Sequence, residues 1–216
     1  MLDLSTIDKS LLVATKAKEG SNIVTPICRI SFPQVFEPNA SDSMYDPGKY
    51  TLTILIPNIA DISLLKSAAA EVAREKWGDK VKDIKLTSPF IDAGEQKKDG
   101  YIPGWTMMRV KTKRKPSIVD PNIRDATGKF VPITEDDGSS VYPGRWARVS
   151  VNAFAYDKPK NGISFSLNNI MLLHHDESLS GKAQVENEFE APAGYSSGAA
   201  ASDGKPAAAK TANDLF

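Results

Sequence analysis

In 216 residues there is one cysteine, Cys28, and there are two histidines, His174 and His175. A single cysteine excludes an intrachain disulfide and agrees with a reducing compartment. Cys28 lies among Ile27, Arg29 and Ile30 in a predicted strand, where it reads as a small buried hydrophobe. The two histidines are adjacent, so an extended backbone points them to opposite faces. With no cysteine nearby they make a poor metal site. No apolar run approaches the ~20 residues that span a bilayer. The first residues lack a basic segment followed by a long apolar block, so no secretory signal is expected. There is no phosphate-cradling P-loop and no GxGxxG. The serines lack the surroundings of a nucleophile elbow. Asp136 and Asp137 sit in a Gly/Ser turn and read as a solvated loop. These absences disfavour catalysis and leave no cofactor to expect.

Hydrophobic residues make up 41% of the chain, enough for one domain with a core plus tails. The net charge of zero conceals an uneven distribution. Residues 95–129 carry nine Lys and Arg against four acids, a local balance of +5. Residues 181–216 carry three against five, or −2 before the terminal carboxylate. A basic middle and an acidic end say more about partners than the total does.

Residues 1–20 read as an N-terminal extension, with a short helix over 7–13. Strand patterns begin at Ile23 and run to Phe32, ending at Pro33. The segment 36–49, FEPNASDSMYDPGK, is full of turn residues and reads as an ordered loop. YTLTILI (50–56) alternates as a strand does. The period then changes: 61–77 places Ile62, Leu65, Ala69, Val72 and Ala73 on one side of a helix that Gly78 stops. This helix is expected to pack rather than to bind. Residues 105–115 form another predicted strand, 116–144 a turn-rich stretch, and 145–156 and 163–173 a hairpin with a longer turn. Five strands, one helix and long loops predict a mainly β fold, a small barrel or strongly curved sheet. Beyond about residue 179 the composition turns to Ala, Gly and Ser. It lacks the apolar content for a core, so a flexible tail is expected.

Two strands carry binding chemistry. In 105–115, WTMMRVKTKRK, the cations Arg109, Lys111, Lys113 and Lys115 share one face. Their two-residue spacing repeats about every 6–7 Å, close to the phosphate spacing of an extended single strand. The same stripe could be a charged solvated edge. In 145–156, RWARVSVNAFAY, Ala147, Val149, Val151, Ala153 and Ala155 form a small apolar face. Trp146, Arg148, Ser150, Asn152, Phe154 and Tyr156 form the other. Rings with a cation can stack bases and hold phosphates; an outer sheet face covered by a loop has the same pattern. Tyr101 and Trp105, flanking Pro103 and Gly104, either add a mobile aromatic loop or cap one barrel end. The chain ends in Asp214, Leu215 and Phe216, an apolar ring with a carboxylate that a partner's basic, hydrophobic pocket could take.

Three segments together carry a resemblance: GYIPGWTMMRVKTKRKPSIVD (100–120), VYPGRWARVSVNAFAYD (141–157) and NGISFSLNNIM (161–171). With RISFPQVFEP near the start and EKWGDK after the helix, the chain resembles bacteriophage and prophage single-stranded DNA-binding proteins comparable to the T7-type phage protein. The resemblance covers residues 23–173. It implies an oligonucleotide/oligosaccharide-binding (OB) five-stranded barrel over 21–178, between the 1–20 extension and a mildly acidic 179–216 tail. It implies a non-enzymatic protein that coats single strands in replication, recombination or repair, in the cytoplasm of the bacterial host. Its binding role would fall to Arg109, Lys111, Lys113, Lys115 and Arg148 for phosphates and to Trp146, Phe154 and Tyr156 for bases. The implied partners are single-stranded DNA and the replication or recombination proteins that take the tail; a homodimer is compatible. Two other readings stay open: a virion structural or assembly protein using the aromatic face for subunit contacts, and a nuclease with carboxylates gathered from loops.

Overall fold

The computed structural model describes residues 1–40 and 48–180. The expected tail beyond residue 180, with Asp214, Leu215 and Phe216, and residues 41–47 of the 36–49 loop lie outside the described residues. Ten strands form: β1 (Thr15–Lys16), β2 (Ile23–Val24), β3 (Cys28–Asn39), β4 (Lys49–Ile56), β5 (Ile91–Asp92), β6 (Thr106–Thr112), β7 (Ser117–Arg124), β8 (Phe130–Pro132), β9 (Trp146–Tyr156) and β10 (Gly162–Leu172). One long helix, α1 (Ser63–Trp77), separates β4 from β5.

Five of the strands close a ring in the order β9-β3-β4-β6-β10 and back to β9. Every contact in the ring is antiparallel except β6 with β10, which is parallel. The small strands extend two ring members: β2 pairs the edge of β9 beyond β3, and β7 pairs the edge of β10 beyond β6. The period-two faces of β9 explain closure. Ala147, Val149, Val151 and Ala153 are buried inside, where short side chains let opposite walls approach. Ile30, Leu52, Ile54, Val110, Phe165 and Leu167 complete that core. Helix α1 adds Leu65, Ala69 and Ala73 to it, and Gly78 ends the helix at φ +55, a conformation that costs glycine little.

Outside the ring lies a second core: Ile27, Leu55, Ala93, Tyr101, Trp105, Met107 and Trp146. The N-terminal residues Leu2, Leu4, Ile7, Leu11 and Leu12 pack against it. The expected helix over 7–13 is a single 3-10 turn, Lys9–Leu12, capped by the Asp8 carboxylate. Cys28 is buried as expected, and burial pushes its thiol up to about 12.

Two expectations need correction. The strand expected to end at Pro33 continues to Asn39, because a one-residue bulge between Ser31 and Gln34 absorbs the proline. The turn-rich stretch 116–144 holds β7 and β8. β8 is exposed throughout and β7 buries only Ile118, so their side chains carry little alternation to read.

Candidate nucleic-acid interface

The outward residues of β4, β6, β10 and β9 fall in register. Thr51 pairs Lys111, Lys111 pairs Ser166, and Ser166 pairs Asn152, a transverse row over four strands. One register step away Thr53 pairs Arg109, and Ser164 pairs Phe154. Short hydroxylated side chains on β4 and β10 keep the surface low on both sides of the β6 cations. Three clefts follow from this relief. The largest, about 610 Å³, is lined by Lys49, Lys111, Lys113, Phe154, Tyr156 and Lys158, with Ser164 and Ser166 beneath. The next, about 330 Å³, shares Lys111 and Ser164 with it and adds Thr51, Thr53, Arg109 and Phe32. The third, about 220 Å³, shares Phe32, Thr53 and Arg109 and adds Gln96, Lys98, Tyr101 and Met107. They make one track along β6. Among the described residues no carboxylate lines it.

Phe154 and Tyr156 stand at one end. Their ring centroids are 6.4 Å apart and tilted by 50°, and Phe154 is 37% exposed. The Tyr156 phenol rests on Gly162 across the hairpin, where any Cβ would overlap it. At the other end Phe32 is 55% exposed, with the Lys98 ammonium 4.4 Å from its ring centroid. The Arg109 guanidinium donates to Gln96 Oε1 at 3.2 Å.

Of the residues singled out from sequence, Arg109, Lys111, Lys113, Phe154 and Tyr156 come together here. Five others do not. Trp146 is fully buried in the second core: its indole N–H donates to Asp176 Oδ2 at 2.7 Å, and it packs on Trp105 at 5.9 Å. It leaves β9 on the outer side as expected, but the N-terminal segment, Trp105 and Leu179 cover that side. Trp105 and Tyr101 are buried with it in that core; the Tyr101 hydroxyl donates to Ser31 Oγ at 2.9 Å. Arg148 braces the N-terminal segment, donating to Thr25 O, Val13 O and Thr15 Oγ1. Lys115 falls off the track because β6 ends at Thr112, where Arg114 N turns back to Thr112 Oγ1.

Sequence reasoning missed Lys49, Lys158, Phe32 and Lys98. The lysines sit in or beside turns, where periodicity is silent. Phe32 carried one signal, an aromatic directly before a proline in a strand. His175 stacks on Tyr142, 5.9 Å away, and hydrogen-bonds the buried Arg145, which also pairs with Asp120 at 3.3 Å. Among the described residues no cluster of three His, Cys, Asp or Glu could hold a metal ion, and no helix is long and apolar enough to cross a membrane.

A ring of five strands with one parallel contact, presenting its second and third members as a polar outer face, defines the OB-like class of barrel. The chain belongs to the family described as Enterobacter phage Enc34, ssDNA-binding protein, whose model matches residues 21–200. It is 28% identical over 176 residues to protein p50 of Acyrthosiphon pisum secondary endosymbiont phage 1, covering 75% of this chain and 89% of that one. The single-stranded DNA-binding protein from bacteriophage Enc34, solved in complex with ssDNA, shares the fold: TM-score 0.58, 16% identity, 76% of this chain and 97% of that one. The single-stranded DNA-binding protein gp2.5 of bacteriophage T7 aligns at TM-score 0.46 and 17% identity, over 76% of this chain and 98% of that one.

Proposed function

We propose that this protein binds single-stranded DNA with little sequence preference and protects it during phage replication, recombination or repair in the host cytoplasm. One observation carries the reading: a track along β6 that is lined by cations, has exposed or half-exposed rings at its two ends and, among the described residues, holds no carboxylate. Lys49, Arg109, Lys111, Lys113 and Lys158 neutralise phosphates. Phe154 and Tyr156 stack bases, each ring worth about 1–3 kcal/mol whatever the base. The threonines and serines of β4 and β10 offer hydroxyls and leave room for the sugar chain. A binding protein of this kind performs no reaction. A subunit contact over the same face is a poorer fit, because it would bury four lysines, a residue type depleted from protein interfaces. The family membership and the shared fold support the reading. The terminal Asp214, Leu215 and Phe216 would serve as a tether for replication or recombination proteins.

The test is a fluorescence titration with poly-dT and with duplex DNA at several salt concentrations. If these five cations each neutralise a phosphate, log affinity falls against log salt with a slope of roughly −3.5, at about 0.7 per phosphate. Affinity without salt dependence, or none for poly-dT, overturns the proposal. A chain ending at residue 180 should retain poly-dT binding.

A further inference from the structure

We infer that Phe32 is a second base-stacking platform, covered in the free protein by the Lys98 ammonium, and that it takes one unpaired base at the far end of the β6 track. The inference rests on the proposed single-strand reading and extends it by a site that neither the sequence pattern nor the Phe154 end supplies.

Among the described residues only two non-glycine residues have a positive φ: Phe32 at +46° and Lys97 at +49°. Phe32 lines the small cleft, and Lys97 lies between Gln96 and Lys98, which line it too. A left-handed backbone is unfavourable for a bulky side chain, and such residues gather where a site must hold a shape. Phe32 owes its conformation to the bulge between Ser31 and Gln34, and bulges re-aim side chains. Ser31 beside it is fixed by the buried Tyr101 hydroxyl, so the platform stands on a rigid floor. Lys97 ends the 3-10 turn Ala93–Gln96, and Lys98 follows it onto the ring.

A ring that served the core would be covered, yet Phe32 is 55% exposed and an ammonium meets its face. A cation over a ring is an exchangeable cover. A base can take the face while the ammonium moves to a neighbouring phosphate, and no bond is made or broken. Arg109 lines the cleft beside Phe32, and Lys113 lines the one beside Phe154 and Tyr156. Lys113 comes four positions after Arg109, just past the end of β6, which at the rise of an extended chain is about 13 Å, or roughly two internucleotide steps. The two aromatic ends therefore suit one strand of about four or more nucleotides.

The experiment compares wild type, Phe32→Leu, Phe32→Trp, Phe32→Gly and Phe154→Leu by anisotropy with labelled oligo-dT of two to eight nucleotides. Phe32→Leu should bind the longer oligomers about 5- to 100-fold more weakly and the shortest as wild type does. Phe154→Leu should weaken all lengths. Phe32→Trp should bind normally and gain a fluorescence signal that oligo-dT quenches. Phe32→Gly, which relieves the left-handed phenylalanine, should melt no lower than wild type while losing affinity for the longer oligomers. Unchanged affinity of Phe32→Leu at every length, no quenching of Phe32→Trp, or a marked fall in the melting temperature of Phe32→Gly overturns the inference. If Phe154→Leu still binds weakly in that case, the single-strand reading stands without the second platform. If it too binds like wild type, the reading itself fails.

Discussion

Trp146 and Phe154 leave β9 on the same side, and their fates differ through what lies over them. Trp146 meets the N-terminal leucines and Trp105, and its indole N–H ends on Asp176. Phe154 meets the cleft. Truncating the first should cost stability and truncating the second should cost binding. Trp146→Ala is expected to lose about 3–5 kcal/mol of unfolding free energy, the usual cost of emptying a large aromatic site, measured by urea denaturation. Phe154→Ala should unfold within about 0.5 kcal/mol of wild type and bind poly-dT about 1–3 kcal/mol more weakly. Asp176 adds a pH dependence. Burial alone would raise its pKa. The hydrogen bonds from Trp146, Leu2 and Glu177, with the Arg29 guanidinium, outweigh that and hold it down at about 2. A depressed carboxyl stabilises the fold above its unfolded value of 3.8, and the contribution disappears as pH falls toward 2. Asp176→Asn should therefore be less stable at neutral pH by roughly 2 kcal/mol. The gap to wild type should close between about pH 4 and pH 2, seen by thermal melts across that range.

At the scale of elements, the long alternating strands and the helix were legible because each buries one face. The 61–77 pattern became Ser63–Trp77, and YTLTILI became β4 almost residue for residue. The small apolar face of β9 lies inside the barrel, which the pattern suggested and only closure decides. β7 and β8 were illegible because one buried residue, Ile118, over the two strands is too little for a period to show. The site was half legible for a related reason. Alternation says which side of a strand a residue takes, and is silent on what else in the chain covers that side. It put Trp146 and Arg148 beside Phe154, although the N-terminal segment sits over the first two. The β9–β10 hairpin carries its own prediction. Gly162 leaves the space that the Tyr156 phenol fills, so Gly162→Ala should push that ring off its seat. Poly-dT affinity should fall toward that of Tyr156→Ala, and adding Gly162→Ala to Tyr156→Ala should change binding little further. Full additivity in that double-mutant cycle would show that the glycine acts elsewhere.

For the whole molecule, charge and rings contribute to binding in separable ways, because counterion release sets the salt slope and stacking does not. The local balance of +5 in residues 95–129 mixes cations that line the track with cations that do not. Arg109, Lys111 and Lys113 line it, whereas Lys115 lies past the end of β6 and Arg148 is tied to the N-terminal segment. Lys111→Ala should make the log affinity–log salt slope shallower by about 0.7, the share of one phosphate on a single strand. Phe154→Leu should lower affinity at every salt concentration and leave the slope alone. Lys115→Ala should move neither slope nor affinity beyond the small effect of one distant charge. Arg148→Ala should lower thermal stability, since three acceptors lose their donor, and leave the slope of the folded protein unchanged. Titrations of the four variants at a common set of salt concentrations decide the matter. Equal slope changes for Lys111→Ala and Lys115→Ala would mean that the strand is held by the protein's overall field. Unequal ones would locate it on β6.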